Sequence, residues 1–308
     1  MSRTFTELTN DANASAWIPT EDYASLILEG VVCCGQLSGN GITALEYNMS
    51  AGHGDVVNVR TVTARTHSCA TQGCGCLSVT SNTLSDAKIY VYQWGDYDKI
   101  CDWTSWKANG NILQAVAKEM AKRMCKCRDA QIWTQLCGAT PLATIRTKAV
   151  WTSDKVPSGS CCSFSFDLYN SIVSARQRLS GYCYNPDTVI LHPYAAAFLY
   201  YKEGNAAGFL GTYNPLIKFN EQTGYISQIL GMRVIEAGVA VADDASPATA
   251  DDEVAFIIDS SRAIGEVFGK KPELHSFYDG KCNATELTVW QYWGSGILDG
   301  NAIVKVTS

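Results

Sequence analysis

The chain has 308 residues, 18% of them charged, and its formal net charge is −6 at pH 7. This length can bury a large core in one or two domains, while the negative charge excludes a general nucleic-acid binder, because strong phosphate binding needs an excess of Lys and Arg on one face. The N-terminus lacks the apolar core of a signal peptide and no apolar run approaches the roughly 20 residues that span a bilayer, so we expect a soluble protein made in a cytoplasm, without a membrane partner.

The N-terminal segments are predicted to contain little that folds alone. Residues 1 to 20 are polar and without periodicity, which predicts an extended arm. Thr20 to Gly30 predicts a short helix with a Thr cap. Residues 35 to 54 are rich in Gly and predict an irregular segment.

A long hairpin is predicted next. Gly54 to Ala64 is rich in Val and Thr and predicts a strand, and Lys88 to Trp94 alternates and predicts another. The connector, Arg65 to Asp86, has too few apolar residues for a core of its own. Connectors of this length in ordered proteins are usually functional or take their order from a partner.

Cys69, Cys74 and Cys76 lie in that connector, and three interpretations of them stay open. They can form a disulfide, including one to a neighbouring subunit, which would restrict the dissociated state. They can bind zinc with His67, although the spacing is irregular for a structural site. They can also be free thiols, and the odd total of 13 cysteines leaves at least one unpaired within a chain.

Asn109 to Gly138 predicts one unusually long helix. Ile112, Val116, Met120 and Met124 recur every four residues and form one apolar stripe. Asn111 is placed to cap the helix, and Gly138 is placed to end it in the left-handed conformation. Such a helix spans about 40 Å at 1.5 Å per residue, so we interpret it as a strut along which other parts of the molecule are arranged.

The remainder predicts two further helices, Ser165 to Gly181 and Pro193 to Tyr201, among short strands and loops. In one strand, Leu287 and Val289 alternate with Trp290 and Tyr292. Loops are predicted at 204–225 and 243–252. The predicted strands are, in order, Thr144 to Trp151, Thr188 to Leu191, Met232 to Ala242, Val254 to Ile258, Ala263 to Phe268, Leu274 to Tyr278, Glu286 to Trp293 and Ala302 to Val306.

No catalytic, cofactor-binding or metal-binding residue is predicted. The four histidines stand in no metalloprotease or triad signature. Gly204, Gly208 and Gly211 lack a following phosphate-binding lysine, so a flexible loop is the favoured interpretation.

The order of these parts resembles the HK97-type major capsid proteins of tailed viruses and the related encapsulins. An N-terminal arm precedes a long two-stranded loop, which the family calls the E-loop, and a long spine helix follows. The resemblance covers about the whole chain and includes the segments Asn185 to Leu199, Leu230 to Ala237, Ala255 to Asp259, Ile264 to Phe268 and Asn301 to Val306.

The resemblance implies an α+β capsid fold with five parts. These are an N-terminal arm (1–53), an E-loop with flanking strands (54–106), a peripheral domain with the spine helix (107–186), an axial domain (187–252) and further peripheral strands (253–308). The E-loop would lie across a neighbouring subunit, and the arm would reach under another. No lysine lies between Arg65 and Lys88, so the Lys–Asn cross-link of some members is not expected.

The predicted function is that of a major capsid protein without catalysis or cofactor. Copies would form the hexamers and pentamers of an icosahedral shell. The shell would enclose a dsDNA genome and contact it weakly and non-specifically. The virions would be assembled in the host cytoplasm. Scaffold, portal and decoration proteins are candidate partners. We expect no cleaved scaffolding segment, so a separate scaffold, or none, is implied. The alternatives are an encapsulin-like compartment holding protein cargo and, from another class, a zinc- or thiol-dependent enzyme.

Overall fold

A computed structural model describes residues 35–49, 54–62, 84–103, 112–147, 161–200, 217–219, 226–238 and 253–307. Most of the predicted N-terminal arm, with its short helix, and the acidic loop 243–252 lie outside this part. Of the helices described, none combines the length and apolarity that a bilayer crossing requires.

The predicted strut is confirmed as helix α1, Ile112–Gly138, with 27 residues. Its apolar stripe is buried along the whole helix. Gly138 does not end it as predicted, because Gly138 is itself helical and its φ is not positive. Instead, the Lys305 amine donates a hydrogen bond to the carbonyl oxygen of Cys137, which places a cation at the negative end of the helix dipole. The predicted cap, Asn111, lies outside the described residues.

A four-stranded sheet packs on one side of α1, in the order β1, β11, β12, β4. The four strands are β1 (Thr43–Asn48), β4 (Tyr92–Cys101), β11 (Ile264–Asp279) and β12 (Ala284–Ile297). Strand β1 is parallel to β11, and the other two pairs are antiparallel. Leu287 and Val289 share a buried cluster with Val116, Met120 and Met124 of α1, which fixes the helix on this face.

Two predictions fail in this sheet. Strand β1 lies in the Gly-rich segment predicted to be irregular, because its pairing partner is a distant strand that no local pattern reveals. The two strands predicted at 263–268 and 274–278 are one strand, β11, which passes through Pro272. Irregular pairing between Phe268 and Glu273 accommodates the missing donor of the proline.

A seven-stranded sheet forms the second layer, in the order β5, β13, β10, β6, β9, β8, β7. Its strands are β5 (Ala143–Arg146), β6 (Thr188–Leu191), β7 (Ile217–Phe219), β8 (Ile226–Ile229), β9 (Met232–Glu236), β10 (Glu253–Ile258) and β13 (Ile303–Thr307). Strand β6 has the predicted bounds and is fully buried. Strand β7 lies where a loop was predicted, and β9 ends six residues before the predicted Ala242.

Two helices cover this sheet, α2 (Cys161–Gly181) and α3 (Pro193–Tyr200). Leu168, Ile172 and Leu179 of α2 are completely buried and pack in one core cluster with β6, β10 and β13. Helix α2 begins four residues before the predicted cap, Ser165. The left-handed residue that follows the helix is Cys183, with a φ of 65°, and not Gly181 as predicted.

The predicted hairpin is confirmed as β2 (Val56–Val62) paired antiparallel with β3 (Leu84–Tyr90). The second strand was predicted at Lys88 to Trp94, a range that includes the end of β3 and the start of β4. Ile89 of β3 is 1% exposed, so the base of the hairpin is packed into the body of the molecule.

Candidate assembly surfaces

Exposed aromatic side chains are concentrated on one face of the four-stranded sheet. In β12, buried and exposed residues alternate from Leu287 to Trp293, and the buried set faces α1. Directly paired residues of antiparallel strands point to the same face. The pairing of Thr288 with Tyr97 and His275 therefore places these residues, with Trp290, on the face directed away from α1.

We call this the outer face, and its aromatic members come from all three long strands. Tyr97, Phe277, Trp290 and Tyr292 are 54%, 59%, 40% and 39% exposed. The rings of Phe277 and His275 stack, with centroids 6.3 Å apart and an interplanar angle of 22°. A contiguous exposed apolar area of this kind usually marks a site of interaction.

Gly95 makes room for the largest of these side chains. A Cβ atom at this position would lie 2.5 Å from Cε3 and Cζ3 of the Trp290 ring. The indole therefore lies directly over the glycine of the paired strand. This packing holds Trp290 in one orientation while leaving its other side exposed to solvent.

Charged residues on the outer face form ion pairs with one another. The Lys99 amine lies 2.6 Å from Oδ2 of Asp279 and 2.9 Å from Oε1 of Glu286. The hydrogen bond from Lys99 is the main reason that the pKa of Asp279 is far below its ordinary value. Its bond to Asp279, followed by that to Glu286, raises the pKa of Lys99, which stays protonated.

A second ionic group lies further along β11. The Lys270 amine is 2.7 Å from Oε2 of Glu273, and Nε2 of His275 is 3.5 Å from the same oxygen. The hydrogen bond from Lys270 is the main cause that lowers the pKa of Glu273. The outer face thus carries two ion-paired groups, in which three carboxylates outnumber two lysines by one.

The base of the hairpin rests on glycines of the four-stranded sheet. A Cβ atom on Gly294 would overlap the carbonyl oxygen of Tyr90. A Cβ atom on Gly265 would lie 2.9 Å from Cδ1 of Ile89, and one on Gly296 would lie 3.1 Å from Cγ1 of Ile89. We call these three glycines the glycine seat, because they allow β3 to cross the sheet at backbone distance.

A groove of about 650 Å³ opens beside the glycine seat. It runs between the hairpin base and the C-terminal half of α1, and Tyr90 and Tyr92 line one wall. Gln131, Thr134 and Gln135 of α1 line the other. Tyr90 and Tyr92 are about half exposed, so the groove provides a second aromatic surface.

Two buried acids of the core lie near α1 rather than in an open site. Asp129 accepts hydrogen bonds from three backbone amides of the segment before β1. Glu266 of β11 is fully buried, and this burial raises its pKa to about 7. Ser38 and Arg128 oppose that shift, while Glu46 and Asp129 add to it.

Cys69, Cys74 and Cys76, for which a disulfide, a zinc site and free thiols were all left open, lie outside the described residues, as does the candidate zinc ligand His67. Elsewhere, Cys101, Cys127, Cys183 and Cys282 carry thiols rather than disulfides. In the described ranges, no three His, Cys, Asp or Glu side chains are grouped so that they could hold a metal ion.

The sequence predicted only part of the outer face. It placed Trp290 and Tyr292 together on one side of a strand, and the structure confirms this. It missed Tyr97, because residues 95 to 101 were not assigned to a strand. The alternation of Tyr97 and Lys99 with Asp98 and Ile100 was the available signal.

Neither a protein-family model nor a curated protein matches the sequence. Solved structures do match, along nearly the whole chain. In the capsid structure of the cyanophage P-SCSP1u, the matched chain is 12% identical, with a TM-score of 0.67, and the match covers 93% of this chain and 92% of that one. A chain of Mycobacterium phage Che8 is 14% identical, with a TM-score of 0.65, and the match covers 94% of this chain and 96% of that one.

A third similar chain comes from the capsid of a native GTA particle. It is 12% identical with a TM-score of 0.63, and the match covers 97% of this chain and 98% of that chain. The chain therefore has the α+β, HK97-like fold of phage capsid proteins, as predicted.

Proposed function

We propose that this chain is the structural subunit of an icosahedral shell that encloses a dsDNA viral genome. The observation that carries the proposal is its similarity, over more than nine tenths of both chains, to chains from the capsids of a cyanophage and of a GTA particle. Such coverage leaves little of the chain for a separate catalytic domain. We accordingly propose a role in shell construction without catalysis.

Within this proposal the division into parts follows the sequence resemblance. Residues 1–53 form the arm and 54–106 the E-loop with its flanking strands. Residues 107–186 and 253–308 form the peripheral domain, and 187–252 the axial domain. The hairpin β2–β3 supports the E-loop assignment, because it pairs only with itself among the strands described.

The proposed partners are further copies of the chain, arranged as hexamers and pentamers of a capsid assembled in the host cytoplasm. DNA would be held weakly and without sequence preference, as expected for a chain with a net charge of −6. Scaffold, portal and decoration proteins, each a separate chain, are further proposed partners. The matched structures are capsids, so we favour the viral shell over an encapsulin-like compartment.

Electron microscopy of the purified chain tests the proposal. We expect closed shells of uniform size, and nuclease-resistant dsDNA inside shells taken from infected cells. A chain that stays monomeric over a wide range of concentration and salt would overturn the shell function. Shells that contain only protein cargo would favour the encapsulin-like alternative.

A further inference from the structure

We propose that the outer face of the four-stranded sheet docks a second copy of this chain. This inference rests on the proposed shell function and adds the surface that would be covered. It concerns Tyr97, Phe277, Trp290 and Tyr292, together with the ion groups between them.

The apolar area of the outer face fits the centre of a protein interface. Four half-exposed aromatic side chains present roughly 400 Å² of apolar surface, since an aromatic side chain buries about 150–250 Å² in full. A standard interface covers about 800 Å² on each partner, with aromatic residues at its centre and polar residues around them. The outer face would therefore supply the centre of such an interface.

The charges on the face favour a protein partner over a polyanion. Lys99 is held by Asp279 and Glu286, and Lys270 by Glu273, so neither of these lysines is free to bind a phosphate. The three carboxylates outnumber the two lysines they pair with, and this excess of negative charge disfavours a nucleic acid. A second copy would meet a surface whose ion groups are already satisfied and would desolvate few unpaired charges.

The surface also continues around the edge of β11. Every residue from Lys271 to Tyr278 is exposed, and Leu274 and Tyr278 are 51% and 63% exposed. Strand β1 pairs with β11 only as far as Phe268, so within the described residues no strand pairs with this edge beyond that point. An open edge flanked by aromatic side chains is a place where another chain can add contacts.

The decisive experiment compares the double variant Tyr97→Ser/Phe277→Ser with the control Tyr182→Ser. Tyr182 is 66% exposed and lies after α2, outside the strands of the four-stranded sheet. The double variant should raise the concentration needed for shell assembly at least tenfold, because aromatic residues at the centre of an interface carry much of its energy. The control should assemble like the wild type, and circular dichroism checks that all three chains fold.

Hydroxyl-radical footprinting of the wild type gives an answer that does not depend on any variant. Oxidation of Tyr97, Phe277 and Trp290 should fall several-fold between dissociated chains and shells made of this chain alone. Equal oxidation in both states, or protection that requires DNA or another protein, would overturn the inference and leave the shell function standing. A wild-type chain that never assembles would overturn the shell function itself.

Discussion

Asp129 shows how one side chain of α1 holds the segment that leads into β1. Its Oδ1 accepts hydrogen bonds from the amides of Leu37 and Ser38 at 3.1 and 2.8 Å, and its Oδ2 accepts one from Gln36 at 2.9 Å. The carboxylate is fully buried, and the amides of Leu37 and Ser38 are buried with it, so these two amides have no access to water as a substitute. Hydrogen bonds to a charged group are among the stronger ones.

Replacing Asp129 with Ala should therefore lower the free energy of unfolding by roughly 3 kcal/mol, because buried amides lose their acceptor. Asp129→Asn should cost roughly half as much, since one oxygen can still accept two of the bonds. Chemical denaturation of dissociated chains measures both. The control is Asp86→Ala, which removes only an exposed pair with Arg60. Equal losses for Asp129→Ala and the control would contradict this account.

Glu266 makes the stability of the fold depend on pH. Desolvation raises its pKa to about 7 from an ordinary value of 4.5, so the folded chain binds a proton that the unfolded chain releases. The charged groups facing it are Glu46 on β1 and Arg128 and Asp129 on α1. Its stabilising contribution is complete below pH 4.5 and is lost as the pH rises towards 7.

We expect the Glu266→Gln variant to be more stable than the wild type at pH 8, by up to about 3 kcal/mol. The two chains should converge well below pH 4.5, where the glutamate is protonated in both states. Denaturation at a series of pH values gives this difference directly, and other titrating groups cancel in the comparison. A difference that does not change with pH would show that Glu266 titrates normally.

At the level of elements, the local sequence pattern was sufficient to predict a helix or strand where its buried residues follow one regular spacing. Helix α1 and strands β6 and β10 were predicted almost residue by residue, because their apolar positions repeat at helical spacing or form continuous runs. Strand β1 was missed, since its order comes from pairing with β11 more than 200 residues away. The two strands predicted at 263–268 and 274–278 are one, because bulged pairing accommodates Pro272 inside β11.

The glycine seat could not be predicted, because a glycine needed for close approach looks like any loop glycine in the sequence. Gly294→Ala tests it: the new methyl group would overlap the Tyr90 carbonyl oxygen, so β3 must move off the sheet. We expect a loss of about 2 kcal/mol or more, as for other overpacked sites. Hydrogen exchange should show faster opening of β2 and β3 than of β10.

Gly181→Ala is the matched control for the seat. Gly181 is the last residue of α2, and a Cβ atom there would meet nothing within 4 Å. This change should be neutral or slightly stabilising, because Ala is the better helix former. If both variants lost the same stability, close approach at the glycine seat would not be the cause.

At the scale of the whole molecule, the fold presents surfaces that a single chain does not cover. The outer face and the groove between the hairpin and α1 both expose aromatic side chains, and the hairpin extends from the glycine seat as a separate two-stranded sheet. The sequence indicated the need for partners through the polar arm and the connector. It could not locate the outer face, which exists only once three strands have been brought into register.

The cysteines of the connector provide a last test at this scale. If Cys69, Cys74 or Cys76 links neighbouring subunits, oxidised shells should yield dimers and larger covalent species on non-reducing electrophoresis, and reduction should return single chains. The shells should also dissociate at a lower denaturant concentration once reduced, because a cross-link restricts the dissociated state.

A variant with serine at all three positions should lose both effects, whereas Cys282→Ser, which removes an exposed thiol elsewhere, should keep them. Covalent species that persist in the triple variant would assign the link to other cysteines, and shells without any covalent species would show that contacts between folded surfaces hold the shell together.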